Sequence, residues 1–273
     1  MGKLIVINDR NWREHIGDGG VIAADHPHSG GEMRMCGTLP RRSIYGSLPY
    51  AEPMPKTDLI PRTQWTDMIR EGEREQTFLS HLLTRAKVPC LDQDGLPYCH
   101  AFSPAAALMG LRAFHGLPFV LLSAGSIGGP ATGYVARGAA IEDDLDVIVN
   151  RGAASVDLVP MMQVSKSGWK SGAEENALLH RVTEWFDLGG TGRMFDEVMT
   201  LLLRRIPVCV GLNWWSHAVT YFDPVIAPSG RFGVRFRNSW GTDYGDEGYA
   251  VLEEGRGTPD DAYAPRSMFL SEK

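Results

Sequence analysis

The stretch Arg237-Asn-Ser-Trp-Gly-Thr-Asp-Tyr-Gly-Asp-Glu-Gly-Tyr249 joins two runs of β-branched and aromatic residues, Phe232 to Arg237 before it and Tyr249 to Leu252 after it. Its glycines and aspartates read as a turn between strands. Two more such runs, Val208 to Leu212 and His217 to Phe222, lie between Pro207 and that block, so everything beyond Pro207 reads as sheet. Working back towards the N-terminus, the apolar spacing becomes helical. Trp65, Met68 and Ile69, then Phe78, Leu79, Leu82 and Leu83, predict one or two amphipathic helices across 64–86. Cys99 to Phe114 is apolar on most sides, ends before Gly116, and predicts a buried helix with Pro104 in its second turn, where the helix bends or its first turn is irregular. Further helical patterns fall at 140–151, 173–186 and 193–205. Helices first and strands last predict an α+β fold rather than a βαβ repeat.

Composition narrows the function. The chain has 273 residues, 43% hydrophobic and 22% charged, which suits a globular protein and excludes a disordered or collagenous one. A formal charge of −6 gives no general attraction to nucleic acid or an anionic membrane, so neither is an expected partner. The Met1 end lacks the apolar core of a secretory signal. Four cysteines, Cys36, Cys90, Cys99 and Cys209, are too sparse for a disulfide scaffold, and none is spaced as a zinc site. No metal or cofactor is expected, and Asp25-His-Pro-His28 reads as a solvated loop. Residues 1–60, punctuated by proline and glycine, read as an extended arm, 61–255 as the domain and 256–273 as a tail.

One cysteine stands apart. A thiol in the first turn of a buried helix meets unpaired N–H groups and the helix dipole, both of which favour the thiolate, and Cys99 has that setting. Such a nucleophile needs a base, a group that orients the base, and donors for the oxyanion of acyl transfer. His217 opens one predicted strand and Asn238 ends another, and adjacent antiparallel strands would bring them together. Consecutive helical residues point about 100° apart, so His100 is not read as the base. His15, His81, His115 and His180 read as surface or helix-face residues, and Cys36, Cys90 and Cys209 as small hydrophobes.

These residues carry a resemblance. Asn238-Ser-Trp-Gly241, Gly245 and Gly248-Tyr249 resemble the asparagine block of papain-like cysteine peptidases. Asp92-Gln93 followed by Cys99-x-Ala-Phe-Ser103 resembles the cysteine block, with its glutamine six residues before the nucleophile, and His217-Ala-Val219 resembles the histidine block. All three occur in the family's order. The resemblance spans roughly 60–254, with Ile60-Pro61 to Trp65 similar to the start of a mature peptidase.

The resemblance, to a divergent bacterial or phage-type member, implies a two-lobed fold. A helical lobe carrying the nucleophile helix would pack on an antiparallel, barrel-like β lobe. It implies Cys99 as nucleophile, His217 as general base and then acid, Asn238 as orienter and Gln93 as oxyanion donor. Trp240 would cover the Asn–His hydrogen bond, and Gly128-Gly129 would pair with substrate backbone. Protein or peptide would be the substrate and endopeptidase-like hydrolysis the reaction. Where the family reads Cys-Gly-Ser-Cys-Trp, this chain has Leu96-Pro-Tyr-Cys99-His100. The missing disulfide cysteine agrees with a reducing compartment, cytoplasmic or virion-associated, and Pro97 and Tyr98 narrow the cleft. The arm lacks the family's helical prodomain pattern, so zymogen control by that route is not expected. The alternative is a structural or binding module of a larger assembly such as a phage virion, with residues 1–60 contacting a partner. An acyltransferase of transglutaminase type fits less well, because that group carries Asp where this chain has Asn238.

Overall fold

A computed structural model describes residues 4–268. They run through β1 (Val6–Ile7), β2 (Val21–Ile22), β3 (Arg34–Met35), β4 (Ala51–Pro53), α1 (Arg62–Glu75), α2 (Leu79–Arg85), α3 (Cys99–Phe114), α4 (Gly125–Thr132) and α5 (Ile141–Asn150). Then follow α6 (Ala173–Leu178), β5 (Val182–Asp187), α7 (Met194–Leu203), β6 (Val208–Leu212), β7 (His217–Ile226), β8 (Phe232–Arg237), β9 (Tyr249–Glu253), α8 (Glu254–Gly257) and β10 (Asp261–Met268). Eight strands form one sheet in the order β1-β9-β8-β7-β6-β10-β5-β4, antiparallel except at its two edges. Its strands beyond Pro207 follow the alternation of the sequence, and the fold is α+β as read.

The sheet has a core on each face. Val210, Leu212, Tyr221, Val234 and Phe236 meet α7 and Trp65 of α1 on one side. Cys209, Ala218, Phe222 and Tyr263 meet α2, α3, α4 and α5 on the other. Helix α3 lies directly on β7: Ser103 Oγ donates to the Val219 carbonyl at 2.8 Å, and Thr220 Oγ1 donates to the Ser103 carbonyl at 2.8 Å. At Gly110 a Cβ would meet the Phe222 ring at 2.7 Å, so glycine sets how closely helix and strand approach. These contacts fix the N-terminus of α3 against the start of β7.

Three expectations change. The stretch 173–186 is helical only to Leu178; from Val182 it is β5, because β10 and β4 flank it and satisfy its backbone. Most of 256–273 is not a tail: Asp261 to Met268 forms β10, inserted between β6 and β5, while the last residues of that segment lie outside those described. The extended arm, described from residue 4, is packed against the domain rather than set apart from it. It supplies both edge strands, β1 on β9 and β4 on β5, and buries Ile7, Ile22, Ala51 and Met54. Proline and glycine suit this path, a chain that crosses a surface and meets the large sheet at its edges.

Candidate active site

Tyr98 precedes α3 without a side-chain cap, so the first N–H groups of the helix are left for Cys99 and whatever approaches it. Cys99 is wholly buried. His217 opens β7 and Asn238 follows β8 immediately, which places them side by side. His217 Nε2–H donates to Asn238 Oδ1 at 2.8 Å, and the Ser239 N–H holds the same oxygen at 2.9 Å. Nδ1 is thereby left for the thiols of Cys99 and Cys36, whose charges favour the imidazolium. The Trp240 ring lies 4.8 Å from the imidazole and the Trp215 ring 5.0 Å from it, so the Asn–His bond is screened from water.

Electrostatics follow from that geometry. Burial pushes the Cys99 thiol up, but the charge and hydrogen bond of His217, then His100 and the Thr38 hydroxyl, outweigh it and bring the thiol down to about 6. Burial works against the imidazolium of His217, yet the Cys36 and Cys99 sulfurs facing it raise its pKa well above the ordinary value. The pair is therefore suited to the ionised form at neutral pH. His100, not read as a base, donates Nδ1–H to Asp144 at 2.7 Å, with both side chains fully buried. Asp144 and the Cys99 thiolate together raise the pKa of His100 despite its burial. Both partners favour the protonated ring, which lowers the neighbouring Cys99 thiol, and its position next to Cys99 is its one sign in the sequence.

The cleft over Cys99 is covered by the chain's own residues 34–39. The Gly37 N–H donates to Cys99 Sγ at 3.2 Å, and Thr38 Oγ1 lies 3.4 Å from the same sulfur. Thr38 N–H donates to the Ser216 carbonyl on one wall, while Gly37 and Leu39 exchange backbone bonds with Ala139 on the other. Arg34, almost wholly buried, ties the segment down through Asp92, the Ser29 carbonyl and the Trp240 carbonyl. Cys36, read as a bland hydrophobe, faces His217. Among the described residues, the cleft over Cys99 is closed by this extended segment.

The other candidates fare differently. Gln93 is buried beside the site, its Oε1 accepting from the Ser239 hydroxyl at 2.5 Å. Its Nε2 donates to the carbonyls of Leu96 and of Met35 in the covering segment, both at 2.8 Å. Gly128 and Gly129 do not form a substrate-pairing strand. They lie inside α4, where the Gly128 N–H is spent on the Ala124 carbonyl, and a Cβ at Gly128 would meet Tyr98 at 2.7 Å. The wall that pairs with extended backbone is Ala139. His15 and His180 are buried rather than on the surface: His15 stacks on His28 with ring centroids 4.1 Å apart, and His180 Nδ1 lies 3.1 Å from the Ala153 carbonyl.

No protein-family model and no curated protein matches the chain. Solved structures do. The chain is similar to xylellain, a cysteine protease from Xylella fastidiosa, with 16% identity, a TM-score of 0.59, and coverage of 88% of this chain and 97% of that one. Procathepsin B S9 from Trypanosoma congolense is similar at 13% identity and a TM-score of 0.61, over 86% of this chain and 87% of that one. Digestive procathepsin L 3 from Tenebrio molitor is similar at 17% identity and a TM-score of 0.56, over 65% of this chain. The match spans just under two thirds of that procathepsin, 66% of its length. At such identities the likeness concerns the fold, and it agrees with what the three sequence blocks implied. The chain has the fold of the papain-like cysteine proteases.

Proposed function

We propose that this protein is a cysteine peptidase, held closed by its own residues 34–39. The observation that carries the reading is the constellation at the α3–β7 junction. A thiol brought down to about 6 stands against an imidazole whose far nitrogen is held by Asn238 at 2.8 Å under Trp240. Neutral Asn238 orients the ring without adding a negative charge that would compete with the thiolate.

In the reaction, the Cys99 thiolate attacks the carbonyl carbon of a peptide bond and the carbonyl oxygen takes the charge. Gln93 Nε2–H and the Cys99 backbone N–H would donate to that oxygen. The binding of the Met35 carbonyl by Gln93 supports this role, since the same N–H already holds a peptide oxygen. His217 gives its proton to the departing amine, leaving a thioester on Cys99. It then takes a proton from water, which attacks the thioester and frees the acid and the thiolate. The covering segment escapes this fate because it offers the sulfur an N–H, that of Gly37, rather than a carbonyl carbon. Residues 4–60 are engaged with the chain's own sheet edges and cleft, which favours a closed enzyme over an assembly arm.

The test uses Gly37→Val in the full chain. A Cβ at Gly37 would meet the Pro97 carbonyl at 2.0 Å, so the larger side chain lifts the segment from the cleft. Alkylation by a thiol-directed epoxide, mapped by mass spectrometry beside Cys99→Ala, is expected at Cys99 and about tenfold or more faster than at a free model thiol. Hydrolysis of a mixed peptide pool is expected to depend on Cys99. A Cys99 that reacts no faster than the model thiol in the opened variant overturns the reading.

A further inference from the structure

Beyond Thr38 the covering segment continues between the two lobes, and its side chains enter a site built from carboxylates. The Arg41 guanidinium reaches into the β side and forms a bidentate pair with Asp187, at 2.8 and 3.0 Å, over the Tyr263 ring at 5.5 Å. On the helical side, Glu142 accepts the backbone N–H groups of Arg42 and Ser43 and the Ser43 hydroxyl. Asp261 stands behind them, within electrostatic range of Arg41, Glu142 and Asp187. The exposures of Asp187, Glu142 and Asp261 are 0%, 7% and 1%.

The partners of these carboxylates are unusual for buried acids. Asp187 is bonded by Arg41 and the Gly46 N–H, and Glu142 by Arg42 and Ser43. Every side-chain hydrogen bond described for either acid comes from residues 41–46. Asp261 has no hydrogen-bond partner on either oxygen. Its carboxyl fills the space over Gly211, where a Cβ would meet Oδ1 at 2.0 Å. A buried acid is costly unless it is paired, and these are paired, if at all, by the segment that must leave for the cleft to open.

Position links the acids to the chemistry. Asp261 pairs across the sheet with Gly211, and Gly211 with Ala218, the residue after His217. Two strand spacings, about 10 Å, separate it from the base strand. Arg41 lies three residues beyond Thr38, about 10 Å of extended chain. An extended peptide over Cys99 therefore reaches this pocket with one side chain.

We propose that Asp187, Glu142 and Asp261 form a substrate subsite for a basic side chain, which Arg41 occupies while the cleft is closed. The inference rests on the peptidase reading and names its substrate class: peptides carrying arginine or lysine at the position that falls in this pocket. Asp187 takes the guanidinium, Glu142 the adjoining backbone N–H groups, and Asp261, whose carboxyl burial pushes up to about 7, is drawn towards its ionised form by an arriving cation. Residues 41–43 then act as a model of that substrate, bound beyond the point of cleavage chemistry.

Binding, rather than turnover, tests it. The full chain carrying Gly37→Val, which lifts the segment from the cleft, together with Arg41→Ala, is titrated with a fluorescent synthetic peptide copying residues 36–46, and with the same peptide bearing citrulline for its arginine. The arginine peptide is expected to bind about tenfold tighter, because citrulline keeps the shape and most donors but loses the charge. The gap is expected to close when Asp187→Asn is added and to narrow with Asp261→Asn. Equal binding of the two peptides, or binding of neither, overturns the proposal. Arg41→Gln in the same Gly37→Val background serves as a second emptied pocket. Loss of the folded state in both variants also overturns it, since Arg41 would then be a permanent strut. Epoxide labelling of Cys99 in the same samples reports on the peptidase reading separately.

Discussion

The Cys99 thiol is brought down to about 6 by neighbours that act on its charge, and each can be removed singly. His217 contributes most, and His100, held by the buried Asp144, lowers the thiol further from the helix side. Because the thiol is held down to about 6, alkylation in the opened Gly37→Val chain is expected to rise with pH through about 6 and then level off. Asp144→Asn removes the anion that favours protonated His100, so the half-maximal pH of that rise is expected to move upward. An unchanged profile would mean that His100 acts only by packing. Asn238→Ala leaves the ring of His217 free to turn and is expected to lower kcat/KM by about tenfold to a hundredfold, with little change in KM. A fall confined to KM would place Asn238 in substrate binding instead.

Elements show where the sequence was legible and where it was not. Strands β6 and β8 were readable to the residue, because alternating β-branched and aromatic side chains report burial on two faces directly. Helix α3 was readable for the same local reason, and with it the setting of Cys99, His217 and Asn238. Gly128-Gly129 misled because glycine permits both an extended wall and a tightly packed helix, and only the Tyr98 ring against α4 decides between them. Residues 34–39 carry no periodicity. Their place is set by partners far away in sequence, such as Asp92, Ala139 and Ser216, and no local pattern records those. Arg34 is the strongest of these ties. Arg34→Ala is expected to speed Cys99 alkylation in the full chain severalfold, since it frees the segment from Asp92 and from the Ser29 and Trp240 carbonyls. If the rate stays at the level of the unaltered chain, the segment is held by its backbone bonds alone.

At the scale of the whole molecule, residues 4–60 form a strap fastened at both edges of one sheet. Strand β1 lies on β9 at one edge, β4 lies on β5 at the other, and the cleft is crossed in between. Opening the cleft therefore does not require losing the strap. Deleting residues 1–58 would remove both edge strands and the buried Ile7, Ile22, Ala51 and Met54, and would damage the cores along with the cover. A single cut is a different matter. Ile44 is 80% exposed and lies beyond Arg41, between the cleft and β4. Cleavage there by an added protease is expected to leave both pieces on the folded domain, held by β1 and β4, so that they co-elute under native conditions and separate only in denaturant. The cut also frees the cleft-side piece at one end, so Cys99 alkylation is expected to rise at the same time. Release of the piece preceding the cut under native conditions would show that the β1 edge does not hold it, and the strap would then be a leaving segment.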